Sequence, residues 1–127
     1  MSDLPSGVPA IKAVAMPADT NSTGDIFGGW LLSQMDLAGG VLAYERAEGR
    51  IATVAIEAMT FKAPVFVGDL VSFYANIVKT GTTSLTIDIE AWAMRGRTGE
   101  TVRVTEGRFI YVALTEERKP RPLPPAA

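Results

Sequence analysis

The 127-residue chain contains no histidine and no cysteine, which limits the side chains that could do acid–base chemistry. Thiol nucleophiles, Cys/His zinc sites and every catalytic arrangement built on histidine are therefore excluded. Proton transfer near neutral pH falls to Asp, Glu, Lys or Tyr, with water as the nucleophile. Asp25 is the acid of most interest, since it stands three residues before the pair Gly28-Gly29. Glycines allow a ligand or another backbone to approach closely, so Asp25 is either a candidate base beside a ligand or, as is commoner for an acid at this place, a helix cap.

One long helix must present those glycines. From Ile26 to about Ala47 the sequence has no proline, and apolar residues cover nearly its whole circumference, which predicts a helix buried on most sides. At about 1.5 Å per residue it would run roughly 30 Å, the diameter of a small domain. Capping and turn residues at positions 19–25 precede the helix, and Gly49 stands where a C-cap glycine is expected. An acid at the helix start meets the positive end of the helix dipole.

Short apolar alternations before and after the helix predict strands. These strands cover residues 11–16, 52–61, 70–79, about 85–93, and 100–114. Short connections, including a hairpin turn at residues 96–99, favour antiparallel neighbours, so we expect a meander that curls over the helix. A shift in the apolar phase of the last strand predicts a β-bulge near Gly107. The fold class is therefore α+β.

Length and composition set the broad class of the protein. The chain is long enough for one domain, predicted at residues 11–116, and its net charge of −2 argues against a nucleic-acid binder. Residues 1–10 lack the features of a signal peptide and are predicted to be a disordered tail, and residues 117–127 are predicted to be an extended proline-rich tail. Ser33, Gln34 and Asp36 interrupt the apolar helix, so no membrane span is expected. These features favour a cytoplasmic protein.

Several short motifs follow one another in a characteristic order between about Ala13 and Ala113. They are Met16-Pro17, Asp19-Thr20-Asn21, Gly24-Asp25-Ile26-Phe27-Gly28-Gly29-Trp30, Ser33-Gln34-Met35-Asp36, Thr53-Val54-Ala55, Glu57, Met59, Phe61, Pro64, Val67-Gly68-Asp69 and Phe109-Ile110-Tyr111-Val112-Ala113. This order closely resembles the YciA-type acyl-CoA thioesterases of the hotdog fold. The resemblance implies hydrolysis of fatty and short-chain acyl-CoA thioesters and a dimer whose two sheets join edge to edge, assembled further into hexamers. It also implies that Asp25 is catalytic.

Thioester hydrolysis needs a base or nucleophile beside the carbonyl carbon and a donor for the oxygen that becomes negative. Asp25 would supply the first, and the backbone N–H groups around Gly28 and Gly29 would supply the second. The alternative is that Asp25 only caps the helix. Asp36, inside the helix, is expected to be a structural acid bonded to a loop or a partner subunit, with a catalytic role as the less favoured alternative. Glu57 is expected to be a solvated or interface residue.

Coenzyme A brings phosphates and polar groups that the chain would have to bind. Candidate contacts for the substrate are Asn21, Phe27, Thr60, Lys62, Lys79, Thr83 and Ser84. The turn that contains Thr83 and Ser84 offers N–H and hydroxyl groups to an anion. No metal site and no separate cofactor are expected, because coenzyme A is part of the substrate and product.

The resemblance to the hotdog fold raises two other functions. A hotdog dehydratase is excluded because the resemblance to that branch implies a catalytic histidine, which this chain lacks. A non-catalytic protein that binds acyl-CoA as a sensor stays open as an alternative. We also expect an obligate oligomer, because Trp92 and Met94 are predicted on the outer face of a sheet whose edge lacks a partner.

Overall fold

Helix α1, Gly28–Ala47, forms the centre of the molecule in the computed structural model, which describes residues 4–126. A five-stranded antiparallel sheet packs around it, so the predicted α+β class is confirmed. The strands are β1 (Ile11–Val14), β2 (Ile51–Phe61), β3 (Leu70–Thr80), β4 (Ser84–Met94) and β5 (Thr101–Ala113). A short 3₁₀ helix, Pro17–Asp19, lies between β1 and α1. No helix among residues 4–126 is long and apolar enough to cross a membrane.

The strand order is β1-β3-β4-β5-β2, so the predicted meander of four consecutive strands is wrong at β2. Only β3, β4 and β5 follow one another as hairpins, while β2 pairs with β5 at the edge opposite β1. The cause is the connection between β2 and β3, residues 62–69, which is too long for a tight hairpin and crosses the end of the sheet. β2 is consequently an edge strand, and most of its residues are exposed.

The core lies between α1 and the inner face of the sheet. Its largest fully buried side chains are Met35, Val65, Val71, Phe73, Leu85, Ile87, Ile89, Val104, Phe109 and Tyr111. The strict alternation in β4 buries Leu85, Ile87 and Ile89 and places Trp92 and Met94 on the outer face, as the sequence predicts.

One apolar face of α1 is left uncovered by the sheet of its own chain. Leu37, Val41 and Tyr44 are 59%, 45% and 60% exposed in the single chain. Their spacing puts them on one stripe of the helix, and the sheet of one chain covers only the opposite side. An apolar stripe of this kind indicates that something outside the single chain covers it.

The ends of α1 differ in detail from the sequence prediction. The helix begins at Gly28 instead of Ile26, and Phe27 is its extended N-cap residue. At the other end the left-handed residue is Glu48, with φ of 54°, not Gly49. The N–H groups of Glu48 and Gly49 reach back to the carbonyl oxygens of Glu45 and Tyr44, which closes the last turn.

The bulge expected in β5 near Gly107 lies slightly earlier in that strand. Val104 is the extra residue opposite β4, where the pairing shifts between Ala91 and Trp92. This explains why Val104 and Thr105 are both buried although they are neighbours. A second irregularity lies opposite Gly107, but it belongs to β2, where Ala58 has a positive φ of 54°.

Both predicted tails are partly tied to the domain. At the N-terminus, the N–H of Ala10 donates to the carbonyl of Phe73 at 2.8 Å, so the predicted disorder does not extend to Ala10; residues 1–3 of that tail lie outside the described part. At the C-terminus, Leu123 packs against the core. The Arg121 guanidinium donates to the carbonyls of Leu114 and Ala47, both at 2.8 Å. The extended C-terminal segment therefore holds the last turn of α1 against the sheet.

Candidate active site

The first turn of α1 presents two free backbone donors. Phe27 provides no side-chain cap, and within residues 4–126 the N–H groups of Gly28 and Gly29 have no hydrogen-bond partner. The next N–H, that of Trp30, donates to the carbonyl of Phe27 at 3.1 Å. The free N–H groups at a helix start carry the positive end of the helix dipole, so this point can bind an anion or a polarised carbonyl oxygen.

Asp25 lies in the loop immediately before this turn. Its backbone N–H donates to Oδ1 of Asn21 at 3.1 Å, and its carbonyl accepts from the N–H of Asn21 at 2.7 Å. Among the described residues its exposed carboxylate accepts no hydrogen bond and forms no ion pair. The alternative that Asp25 merely caps the helix is wrong, because the N-cap residue is Phe27 and no side chain among residues 4–126 caps this end.

Asn21 organises the loop that carries Asp25. Its Oδ1 accepts from the N–H and the hydroxyl of Thr23, at 3.0 and 2.7 Å, as well as from Asp25. These bonds use the side-chain oxygen, so Asn21 has a structural task in the free chain beside its predicted contact with substrate.

Two aromatic rings flank the helix start. A Cβ added at Gly29 would stand 3.0 Å from the ring of Phe27, and one added at Gly28 would stand 3.3 Å from the ring of Phe61. Gly28, Phe61 and Lys62 also line a cavity of about 330 Å³. Phe61 was not among the predicted site residues. Its place at the end of a strand, shortly before a proline, gave no signal that the ring would reach the helix start.

Asp36 has the partners expected of a structural acid, but they come from strands of its own chain. Its Oδ1 accepts from the hydroxyl of Thr53 at 2.6 Å and from that of Tyr111 at 3.1 Å. The Tyr111 hydroxyl also lies 2.9 Å from the backbone carbonyl of Asp36. Burial, and next the charge of Asp36, raise the pKa of Tyr111 well above its ordinary value, so this hydroxyl remains a donor.

A larger and mostly apolar cavity of about 510 Å³ continues from Asp36 along α1 and β2. Its lining includes the exposed stripe of α1 together with Ile51 and Tyr111. Gly40 faces this space, and a Cβ added there would meet nothing within 4 Å. Gly39 is different, because a Cβ there would overlap the Tyr111 hydroxyl. Packing within the chain thus explains the glycine at 39 but not the one at 40.

Other predicted contacts are distributed over three regions. Lys62 lies by the helix start, where its Nζ pairs with Oε1 of Glu106 at 3.2 Å. Thr60 lies on the outer face of the sheet, in a polar cavity of about 480 Å³ that also contains Asp88 and Arg108. The exposed Glu57 pairs in register with Arg108. Within residues 4–126, no group of acidic side chains could hold a metal ion.

Lys79, Thr83 and Ser84 lie at the opposite end of the domain from the helix start. Ser84 pairs with Val112 in β5, and the carbonyl of Thr83 accepts from Ala113, beside the first residues of β2. The length of α1 separates the two ends by about 30 Å. One chain therefore brings together Asp25, Phe27, Gly28, Gly29 and Lys62, and leaves these three residues apart from them.

Comparison with known proteins gives a consistent result. The model of the thioesterase superfamily matches residues 23–100. The chain is 53% identical to the acyl-CoA thioester hydrolase YciA of Salmonella typhimurium, over 98% of this chain and 96% of that protein. A hexameric thioesterase from Yersinia pestis superposes with a TM-score of 0.91 at 51% identity, covering 97% of this chain and 100% of the other. A hexameric hotdog-fold thioesterase from Campylobacter jejuni gives 0.88 at 42% identity, covering 93% and 91%.

Proposed function

Because the chain belongs to the thioesterase superfamily, we propose that it is an acyl-CoA thioester hydrolase, which cleaves fatty or short-chain acyl-CoA into the free acid and coenzyme A. The YciA relative shares half of its sequence across nearly the full length of both chains. One structural observation supports the mechanism: within residues 4–126 the carboxylate of Asp25 accepts no hydrogen bond, and three residues later the N–H groups of Gly28 and Gly29 also lack a partner.

These groups divide the reaction between them. The substrate carbonyl oxygen binds to the N–H groups of Gly28 and Gly29, and the carboxylate of Asp25 takes a proton from water as the water oxygen attacks the carbonyl carbon. The negative charge that develops on the carbonyl oxygen is stabilised by the N–H groups and the helix dipole. The carbon–sulfur bond then breaks, and the proton held by Asp25 passes to the sulfur. Coenzyme A leaves as the thiol, and the acid product ionises.

Asp25 could in principle attack the carbonyl carbon itself, and oxygen labelling separates this route from base catalysis. A single turnover in heavy-oxygen water, with enzyme in excess, leaves label in the Asp25 carboxylate only if Asp25 is the nucleophile. We expect label in the acid product alone. Label recovered in Asp25 would contradict the assignment of Asp25 as a base.

The exposed edge of β2 accounts for self-association. This strand has eleven residues with no proline and a single charge, which is an edge that native proteins seldom leave uncovered. Pairing with the same strand of a second copy gives a dimer with one continuous sheet, and three dimers give the hexamer seen in the Yersinia and Campylobacter relatives.

A two-fold dimer of this kind also brings the separated residues back to the site. Antiparallel pairing of the two β2 strands sets the Ile51 end of one copy beside the Phe61 end of the other. Lys79, Thr83 and Ser84 lie at the Ile51 end. They therefore come near the helix start of the second copy, where they can contact the polar part of coenzyme A. Coenzyme A is part of the substrate in this proposal, and no resident cofactor is needed.

The experiment that tests this function is an assay of thiol release from a panel of acyl-CoA esters of increasing chain length, read beside light scattering. We expect catalytic thiol release from a particle with the mass of six chains. Tight binding of acyl-CoA without thiol release would instead support the alternative of a sensor. An active monomer at micromolar concentration would contradict the proposed assembly.

A further inference from the structure

The C-terminal segment connects two parts of the domain that are far apart along the chain. We call residues 120–124 the strap, and residues 81–84, which join β3 to β4, the β3–β4 turn. The N–H of Leu123 in the strap donates to the carbonyl of Thr82 in the β3–β4 turn at 2.8 Å, and Leu123 also packs against the core. The strap therefore contacts the β3–β4 turn directly.

Two arginines fix the strap to the C-terminal end of α1. The guanidinium of Arg121 donates from Nε to the carbonyl of Leu114 and from Nη2 to that of Ala47, both at 2.8 Å. Nη1 of Arg46 donates to the carbonyl of Pro124 at 2.7 Å. Charged donors make stronger hydrogen bonds than neutral ones, and the carbonyls at a helix C-terminus favour a positive charge. The end of α1 therefore sets the course of the strap.

The composition of the strap suits a rigid connector. Three of its five residues are proline, which fixes φ at about −65° and leaves the unfolded chain fewer conformations to lose. Proline has no N–H, so the strap has two backbone donors, those of Arg121 and Leu123. Both are used, the first on the carbonyl of Ala113 at 2.9 Å and the second on that of Thr82. The strap is thus held to one path from the end of β5 to the β3–β4 turn.

The β3–β4 turn has occupied carbonyls and free N–H groups. The carbonyls of its last three residues accept hydrogen bonds of 2.8, 2.9 and 2.8 Å, from Leu123, Ala113 and Gly81 in that order. Within residues 4–126, the N–H groups of Thr82 and Thr83 have no hydrogen-bond partner. Consecutive free N–H groups beside hydroxyls can bind an anion or a carbonyl oxygen. The bonds to the carbonyls, one of them from the strap, set the shape of this site.

We propose that Arg121 is a positioning residue for substrate binding, which acts through the strap and holds the β3–β4 turn in the shape that binds the polar part of coenzyme A. The inference rests on the proposed function, in which Thr83 and Ser84 of one copy lie near the helix start of the second copy. Arg121 does not touch the reacting carbonyl. It therefore affects the affinity for the coenzyme A part of the substrate and not the chemical step.

Two substrates with the same reacting thioester separate these effects. Acyl-CoA carries pantetheine and the nucleotide, whereas the same acyl group on N-acetylcysteamine lacks most of the first and all of the second. Arg121→Ala is expected to raise KM for acyl-CoA by about 5- to 20-fold with kcat changed less than about twofold, because it weakens binding that is equal in the ground state and the transition state. The kcat/KM for the N-acetylcysteamine thioester should stay within about twofold of the wild type.

Two control variants separate the strap from the charge of the arginine. Lys12→Ala removes one positive charge from an exposed side chain on β1, the edge strand opposite β2, and should change KM for acyl-CoA by less than about twofold because salt screens distant charges. Arg121→Lys keeps the charge but cannot hold the carbonyls of Leu114 and Ala47 together as the guanidinium fork does. It should raise KM in the same direction as Arg121→Ala and by a smaller factor.

Leu123→Pro tests the link to the β3–β4 turn without changing Arg121. Proline removes the N–H that donates to Thr82 and keeps an apolar side chain in a segment already rich in proline. It should raise KM for acyl-CoA by about 3- to 10-fold, which corresponds to the loss of one hydrogen bond, with kcat and hydrolysis of the N-acetylcysteamine thioester unchanged. Circular dichroism and light scattering check that each variant folds and assembles. If Arg121→Ala does not fold, Leu123→Pro decides.

The outcomes distinguish this inference from the function on which it rests. No thiol release from acyl-CoA by the wild type would remove the proposed function and the inference with it. An active wild type beside a folded Arg121→Ala, or Leu123→Pro, with wild-type KM for acyl-CoA would overturn the inference alone. An equal loss of kcat/KM with both thioesters, or an equal rise in KM from Lys12→Ala, would also overturn it, because the effect would then be general to the fold or to the charge.

Discussion

Two adjacent glycines in α1 predict stability changes of opposite sign on replacement by alanine. At Gly39 the added methyl group would overlap the Tyr111 hydroxyl and stand 2.7 Å from Cδ1 of Ile89. Both neighbours are fully buried, and the hydroxyl is bonded to Asp36, so neither can move away freely. At Gly40 the same methyl group would meet no atom of the described chain within 4 Å.

The magnitudes follow from helix propensity and packing. Alanine gains about 1 kcal/mol over glycine in a helix interior, which is the whole effect expected at Gly40. At Gly39 this gain is outweighed by overpacking of about 1–3 kcal/mol and by damage to the Tyr111–Asp36 hydrogen bond of about 1 kcal/mol. Gly39→Ala should therefore be roughly 2–4 kcal/mol less stable than Gly40→Ala.

Thermal denaturation followed by circular dichroism measures this difference. At about 4 °C per kcal/mol for a chain of this size, Gly40→Ala should melt roughly 8–16 °C above Gly39→Ala. All proteins must be compared at one concentration, because the melting temperature of an oligomer depends on it. Gly39→Ala melting at or above the wild type would refute the packing of Tyr111 against the helix.

Three further variants test the site, the Tyr111 network and the C-terminal segment. Gly29→Val should lower turnover in the thiol-release assay by about 100-fold or more, because the valine side chain keeps the substrate carbonyl away from the helix N–H groups. Wild-type turnover in a folded Gly29→Val variant would show that the oxyanion site lies elsewhere. The raised pKa of Tyr111 means that its stabilising effect is fully present below its ordinary value of 10.0 and is lost as the pH rises above it. Tyr111→Phe should therefore flatten the fall in urea midpoint as the pH rises above about 10; a pH dependence equal to that of the wild type would count against the burial of Tyr111. Arg121→Ala should lower the free energy of unfolding, measured in urea, by about 1–3 kcal/mol through the loss of two charge-assisted hydrogen bonds. Lys119→Ala, an exposed control, should lower it by less than about 0.5 kcal/mol. Equal losses would show that Arg121 does not hold the last turn of α1.

Local patterns in the sequence predict most of the helices and strands of the fold. The alternation in β4 and the apolar run of α1 predict these elements to within about two residues, because each depends on neighbours along the chain. The place of β2 beside β5 was not predictable in this way, since pairing across an edge depends on contacts more than 40 residues apart. The exposed stripe of α1 was hidden for a related reason. A helix that is apolar all round must be covered, but the pattern does not say whether its own sheet or a second chain covers it.

The sequence predicts only part of the candidate site, because residues that are neighbours along the chain stay together and distant ones need not. Asp25, Gly28 and Gly29 are close in sequence, so their motif keeps them together in space. The chemistry of Lys79, Thr83 and Ser84 suits an anion, but the fold places these residues at the far end of the domain.

The most direct test of the central claim is the turnover of Asp25→Asn, compared with Asp19→Asn in the same loop. Asparagine keeps the shape of the side chain but cannot take a proton from water, so kcat of Asp25→Asn should fall by two or more orders of magnitude with KM and melting temperature nearly unchanged. Asp19→Asn should keep wild-type kcat. If Asp25→Asn hydrolyses acyl-CoA at the wild-type rate, Asp25 is not the base and the mechanism is wrong.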